Sequence, residues 1–357
     1  MAGATGPRHY YLHKSPLILR LIGRPLDERE SMSTFWHDNL PKLGQMFGAI
    51  AIFLAVLAVI FFIAGRANGK KQRPIAILVF LGPAVVLLVF GLFGPAIRTL
   101  LLSFKGSASK HWVGFSNYQW LFTDSSMRIV LRNTIFWILL TPIITTGLGL
   151  LLAILLDRMR RESIAKSLIF MPMAISFVGA SIVWEFVYKF ANPDQPQVGL
   201  MSSIAHHLGF EPPNWLLTQP LNTFLLMVVF IWSQTGFAMV ILSAAIKAVP
   251  ADIMEASALD GAHGWRLFRG VTFPMVRSTF IVVLATMVVT TLKLFDIVRA
   301  STGGNFGTSV LANEMYSETF IRYDAGRGAA MAIVIFLLVI PVLVYNIYNL
   351  RRERSIA

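Results

Sequence analysis

The chain has 357 residues, 55% of them hydrophobic and 14% charged, with a mean hydropathy of +0.65 and a net charge of +13. Soluble domains carry roughly 25% charged residues, so a water-soluble core is excluded and a polytopic membrane protein is the class that fits. The basic excess gathers at the ends of apolar runs, which reads as loop charge setting topology rather than as a nucleic-acid surface; the absence of cysteine excludes disulfides, Cys-based metal sites and thiol catalysis.

The start, MAGATGPRHYYLHK, lacks the pattern of a secretory signal, so no cleaved signal peptide is expected. Residues 1–45 are polar and of mixed charge. Within them, 16–26 joins Leu17, Ile18, Leu21 and Ile22 to Arg20 and Arg24, too short and too charged to span and suited to an interface. Residues 46–64 form the first predicted span. The loop after it is basic, with Arg66, Lys70, Lys71 and Arg73. Its GRANGKK is not a phosphate loop, because Gly65 and Gly69 stand too close and Lys71 occupies the place of the required hydroxyl residue.

Span two is predicted over 75–104, with Pro83 and Pro95 inside it, and is followed by the polar, aromatic loop SKHWVGFSNYQWLFTDSS. Span three, 129–156, opens with Asn133 and Thr134. A basic loop with Arg158, Arg160, Arg161 and Lys166 leads to span four, 167–188, which contains Pro172. No Lys or Arg occurs from 190 to 246, an interval holding the loop ANPDQPQVG and span five, 223–246. A polar element at 250–278 comes next. Span six, 279–298, the Gly-rich loop STGGNFGTS, a polar helix around Met315, span seven, 326–350, and a tail with Arg351, Arg352, Glu353 and Arg354 complete the chain.

The expected fold class is therefore all-α and polytopic, a six-helix core with one extra N-terminal transmembrane helix. The expected division is 1–74 as the N-terminal extension, 75–350 as the transmembrane domain and 351–357 as a tail. The positive-inside rule makes the loops at 66–73, 157–166 and 247–277 and the tail cytoplasmic, and those at 105–128, 190–222 and 299–325 external.

The element at 250–278, PADIMEASALDGAHGWRLFRGVTFPMVRS, is the interruption that hydropathy alone does not explain. Residues 250–259 read as a short helix: Pro250 suits a first position, and Asp252 and Glu255 suit its positive end. Gly261 stops it, since glycine enters a left-handed cap without steric cost. A second helix is expected at 263–269, with Gly270 and Pro274 breaking the pattern before the next apolar run. A charged helix-turn-helix held between two spans has to dock on something outside the bilayer.

Glu255-Ala256-Ser257, Asp260-Gly261-Ala262, Phe268 and Pro274 resemble the EAA motif of ABC importer permeases, with Ser257 in place of the third residue and Ser278 where a second proline is often found. WVGFSNYQWLF, LRNTIFW, IFMPMAIS and LKLFDIVRASTGG look like binding-protein-dependent sugar permeases of the maltose importer type, and residues 1–74 resemble the N-terminal additions of the longer permease in such pairs. Gly303-Gly304-Asn305 stands where many relatives have Gly-Gly-Pro. The resemblance implies an inner-membrane permease subunit that works with a second permease, two cytoplasmic ATPase subunits and an external binding protein carrying a mono- or oligosaccharide such as an α-glucoside. ATP and Mg would sit on the ATPase, and this chain would bind no cofactor and catalyse nothing. Glu255, Ala256, Asp260, Gly261, Ala262, Phe268, Arg269 and Pro274 would form the ATPase-coupling element.

Sugars are held by hydrogen bonds to hydroxyls and by aromatic faces, which makes Trp184, Tyr188, Phe230, Trp232, Gln234, Asn313 and Tyr316 the substrate-pathway candidates, as a group rather than singly. Aromatics in membrane helices commonly face lipid or pack. Glu185 is either an interfacial girdle residue or a sugar contact. Lys293 and Asp296 either snorkel to the interface, form a structural pair one turn apart, or contact substrate. His206 and His207 lack a third metal ligand nearby. Two rival functions are an importer of a glycerophosphodiester or polyol and an ion-driven secondary transporter. The first, if phosphorylated, calls for Arg or Lys near the midplane, where only Lys293 comes close; the second calls for an inverted repeat and buried carboxylates.

With seven spans and a cytoplasmic tail, the N-terminus is expected outside. A tag at residue 5 should be labelled from the external face; labelling only from the cytoplasmic face would refute the seven-span topology.

Overall fold

The structure, a computed structural model, describes residues 28–66, 72–157, 159–192 and 194–354. The interfacial segment expected at 16–26, together with Lys70, Lys71 and Arg158, lies outside the described residues. Regular structure is helical, and no strand occurs among the described residues; an isolated bridge pairs Lys105 with Trp112. In a hydrocarbon layer this follows from hydrogen bonding, since a helix satisfies its N–H and C=O groups within its own segment.

Two compact units divide the chain between Phe93 and Gly94. The first holds α1 (Glu28–Arg66), with the candidate span Asn39–Val59, and α2 (Gln72–Leu88), which runs into a π-helical turn, Val89–Phe93. Phe61 of α1 meets Phe80 of α2 edge to face, with centroids 5.7 Å apart. The extra N-terminal transmembrane helix is therefore present.

The second unit contains α3 (Gly94–Ser103), α4 (Ser116–Thr123), α5 (Ser125–Leu156), α6 (Glu162–Phe170), α7 (Phe177–Val187), α8 (Leu200–His207), α9 (Leu221–Lys247), α10 (Ala251–Leu259), the single turn α11 (Trp265–Leu267), α12 (Phe273–Leu292), α13 (Asp296–Ser301), α14 (Leu311–Tyr316) and α15 (Ala325–Arg354). Its candidate spans are Ser125–Leu156, Leu221–Lys247, Trp265–Leu292 and Ala325–Asn349; Phe80–Ser103 runs across the division between units. Counting α6 and α7 as one crossing brings the total to seven.

That crossing is not the straight span expected at 167–188, because α6 and α7 are bent by 102°. Pro172 opens a 3-10 turn, Met171–Ala174, where its missing N–H costs nothing, and the side chain of Ser176 then caps α7 by accepting from the Gly179 N–H at 3.1 Å. Span six also differs from expectation. It ends at Leu292 rather than at 298, and Lys293 and Asp296 fall on either side of the break, with no ion pair between them among the described residues.

The second unit is built around α5, which lies along α9 and α12, while α15 packs on α3 and α12. The side chain of Asp124 starts α5 by accepting from the N–H groups of Ser126 at 2.9 Å and Met127 at 3.2 Å. Threonines inside the spans return their hydroxyls to the carbonyl one turn back, as Thr141 does to Trp137 and Thr235 to Ile231, both at 2.6 Å. Leu150, Ala153 and Leu156 of α5 join Ala238, Met239 and Leu242 of α9 and Val283 of α12 in a buried cluster. The approach is closest at Gly149, where a Cβ would lie 2.5 Å from Ala238 Cβ and 2.9 Å from the Met239 backbone nitrogen. Small residues at such crossings let backbones meet where lipid gives no hydrophobic drive.

Gly149→Val should therefore force α5 and α9 apart at a cost of about 1–3 kcal/mol. The detergent-solubilised variant should melt at a lower temperature than the parent; an unchanged melting temperature would contradict this crossing.

Candidate functional site

The ends of α5, α6 and α9 that carry Asp157, Glu162 and Lys247 form the basic end of the second unit, and the polar element hangs from it. Pro250 precedes α10, and the helix stops as the sequence suggests. Gly261 has φ +79°, the Ala262 N–H donates to Ser257 O at 2.9 Å, and the Gly261 N–H donates to Ala258 O at 3.1 Å. This pair of bonds is the Schellman cap, which closes the orphan carbonyls of the helix end and needs glycine at its left-handed position. Gly264, at φ +56°, makes the second corner.

Beyond the corner the expected break is absent. The π turn Phe268–Thr272 carries the chain through Gly270 directly into α12, with Pro274 in the first turn of that helix. A wider turn ahead of a proline relieves the clash between its ring and the carbonyl of the preceding turn. The second helix is consequently not a separate 263–269 segment but the start of span six.

Glu255, Ala256, Asp260, Gly261, Arg269 and Pro274 are exposed, while Ala262 and Phe268 are half-buried. None of Glu255, Asp260 and Arg269 makes an ion pair among the described residues. Beside these charges, Leu259 is 89% and Trp265 is 69% exposed. Phe268 joins this surface to the core through a chain of rings: Trp265–Phe268 centroids at 5.1 Å, Phe268–Phe273 at 5.8 Å and Phe273–Phe280 at 5.7 Å. A cavity of about 560 Å³, lined by Leu151, Ile154, Ile246, Met254 and Trp265, lies under the element. The polar element is thus in ring-to-ring contact with the start of α12.

At the opposite end, the loop between α13 and α14 is held by side chains from two spans. The Asn133 amide donates to Gly307 O at 2.6 Å and to Ser309 O at 3.0 Å, and the Asn222 amide donates to Phe306 O at 2.9 Å. Thr134 Oγ1 accepts from the Leu311 N–H at 2.9 Å. The Asn133-Thr134 opening of span three is thereby explained as a clamp on a distant loop.

The substrate-pathway candidates divide into two groups. Trp184, Tyr188, Phe230 and Trp232 cluster where α7 meets α9, with Trp184 centroids 5.2 Å from Tyr188 and 5.8 Å from Trp232. Tyr188 and Phe230 are buried there, and the Tyr188 hydroxyl donates to Leu225 O at 3.0 Å, so these two stand in the packed core. Gln234 is half-buried with no hydrogen bond among the described residues. Asn313 and Tyr316 lie on α14. Tyr316 stacks on Phe295 at 5.4 Å, lies under the Arg299 guanidinium at 5.2 Å, and borders a cavity of about 190 Å³ together with Lys293. Glu185 is exposed, and His206 and His207 are exposed at the end of α8.

Sequence reasoning missed a buried charged group beside Asn313. Asn313 donates to Ser309 Oγ at 3.0 Å, Ser309 donates to Glu314 at 2.9 Å, and Arg322 bridges Glu314 and Glu318, the latter at 2.6 Å. The hydrogen bonds that Arg322 donates to Glu314 and, second, to Glu318 raise its pKa above the ordinary value. Glu314, Glu318 and Arg322 follow one another at helical spacing, i, i+4, i+8, and that spacing was the available signal.

Residues 145–355 match the family model described as "Binding-protein-dependent transport system inner membrane component". The chain is 45% identical over 277 residues to the osmoprotective compounds uptake permease protein GgtC of Synechocystis sp., covering 78% of this chain and 99% of that protein. It is 41% identical over 326 residues to the alpha-glucoside transport system permease protein AglF of Rhizobium meliloti, covering 89% and 93%. Among solved structures, a chain of a bacterial alginate ABC transporter in complex with alginate pentasaccharide-bound periplasmic protein shares the fold, with a TM-score of 0.69 at 18% identity over 80% of this chain and 96% of that one. The helical bundle, the matched family model and these permease relatives agree, and the chain belongs to the family of binding-protein-dependent transport system inner membrane components, as a multi-pass protein of that membrane.

Proposed function

We propose that this chain is one of two permease subunits of an ATP-driven importer for a small neutral saccharide, with α-glucosides as the favoured class. The cargo assignment is supported by the likeness to the alpha-glucoside transport system permease protein AglF, which aligns over 89% of the chain. The mechanism is supported above all by one observation. The element at 250–272 presents charges without ion-pair partners among the described residues, and bare apolar side chains, at the basic end while its Phe268 is ringed into the end of α12.

In this reading the basic end faces the cytoplasm. Glu255, Asp260 and Arg269 make charge-assisted contacts with an ATPase subunit, Leu259 and Trp265 fill its apolar groove, and the Gly261 cap fixes the turn between them. Ala256 and Ala262 keep that surface low enough for close approach, and Pro274 follows the π turn in the first turn of α12. ATP and Mg belong to the ATPase, since the chain has no phosphate loop. A second permease completes the pathway, and an external binding protein delivers cargo to the end held by Asn133 and Asn222. Nucleotide at one end and loaded binding protein at the other bias the same two-state bundle, which is what coupling requires. Trp184, Trp232, Gln234 and Tyr316, which retain exposed or half-buried surface, are the members of the candidate group able to meet a sugar in this state. Tyr188, Phe230 and Asn313 support them from beneath.

Glu255→Lys removes a charge-assisted contact worth about 1.5–3 kcal/mol, so docking of the ATPase should weaken by about tenfold or more. Uptake and cargo-stimulated ATP hydrolysis should fall for Glu255→Lys and for Gly261→Asp while membrane insertion stays normal; normal uptake by both would sink the coupling assignment.

Purified with its partners and binding protein, the complex should hydrolyse ATP faster when α-glucosides such as trehalose or maltose are supplied, and uptake should survive collapse of the ion gradient. Stimulation by glycerophosphodiesters alone, or loss of uptake with the gradient, would overturn the cargo or the energy source respectively. Alanine at Trp184, Trp232, Gln234 and Tyr316 in turn should change uptake at one position or more.

A further inference from the structure

A second charged group stands at the basic end, on α6 and α9, and the coupling element does not use it. Glu162 accepts from both Lys166 and Lys247, the latter at 2.6 Å, and Lys166 also donates to Ser243 Oγ. The Lys166 side chain is 17% exposed and has two partners, whereas that of Lys247 is 52% exposed with Glu162 as its one ion-pair partner among the described residues. An ammonium carries three N–H donors, so Lys247 has donors to spare, although Asp157 as well as Glu162 acts on its charge. These groups open onto a cavity of about 460 Å³ whose polar wall is Lys166, Lys247, Ser163, Ser167 and the Glu162 carboxylate already engaged by both lysines, and whose apolar wall is Phe170 and Val240.

We propose that this cavity binds the phosphodiester headgroup of an anionic phospholipid. Position points to lipid, because Glu162 and Lys247 are terminal residues of candidate membrane segments and so mark the depth where hydrocarbon gives way to headgroups. Chemistry points the same way. Ammonium and hydroxyl donors suit a phosphate, and the Phe170–Val240 wall suits the first methylenes of an acyl chain, for which a soluble anion has no use. Exposed Arg160 and Arg161 immediately precede Glu162 in the chain, so the two arginines and two lysines outweigh Asp157 and Glu162 in this stretch. Lys247 is the last residue of α9, just before the root of the coupling element at Pro250. A headgroup that fixes Lys247 therefore steadies the base from which that element docks, a consequence that rests on the proposed function, whereas the lipid site itself does not.

The test uses the whole complex in nanodiscs of phosphatidylcholine, with or without phosphatidylglycerol. Native mass spectrometry reads retained lipid, and binding-protein-stimulated ATP hydrolysis reads coupling. The parent should retain phosphatidylglycerol selectively, and Lys247→Gln should lose that retention by about fivefold, the effect of one cation near a charged surface. Lys247→Arg should restore it, separating lost charge from lost folding. Equal retention by the parent and Lys247→Gln would overturn the site. Sodium phosphate or glycerol 3-phosphate added to phosphatidylcholine discs should not reproduce the phosphatidylglycerol effect on hydrolysis; if either does, the site serves a free anion and the lipid assignment fails. Retention that depends on Lys247 without any change in hydrolysis would keep the lipid site and remove its link to coupling.

Discussion

At Gly149 a side chain as small as that of alanine would press on the Cβ of Ala238 and the backbone of Met239, and that crossing holds α5 and α9 side by side. Both functional ends depend on it. The same two helices carry Asn133 and Asn222, which clamp the loop at 306–309, and at their other ends Asp157 and Lys247, which flank the base of the polar element. Aligning α5 with α9 at one close contact therefore places the two ends of the bundle relative to each other. A rigid pairing of this kind moves as a unit.

The ends differ in how their polar groups are satisfied. At the clamped end, side-chain amides meet backbone carbonyls, and Arg322 joins Glu314 to Glu318. Such groups are expensive to bury unpaired and give specificity rather than large net stability when paired. At the basic end the charges of the polar element are exposed and without ion-pair partners among the described residues. Exposed charges add little to the stability of the chain that bears them, and thus remain available for a partner. The ring sequence Trp265, Phe268, Phe273, Phe280 is the physical link between this free surface and the packed spans.

Much of this was legible in the residues. Apolar runs bounded by basic loops located the spans, and the spacing of Gly261 after Glu255 located the cap, because both signals are local. What was not legible required tertiary context. Pro172 read as a residue inside a straight span; the 102° bend depends on Ser176 restarting the helix. Gly270 and Pro274 read as breakers, and a π turn absorbed both. Tyr188 and Phe230 were placed with the cargo candidates by type, and three-dimensional packing put them in the core. Lys293 and Asp296 had helical spacing but no helix joining them. Glu314, Glu318 and Arg322 had helical spacing in a stretch expected to be a polar helix, and only the structure shows that Arg322, just past its end, turns back onto both carboxylates.

The central claim is that the polar element is covered by an ATPase. The chain contains no cysteine, so a single introduced thiol reports on its own surroundings. Leu259→Cys places that thiol at a side chain that is 89% exposed. In inside-out vesicles, a membrane-impermeant maleimide should label it rapidly when the permease is expressed without its ATPase and slowly when the ATPase is present. Equal labelling in the two preparations would contradict the account.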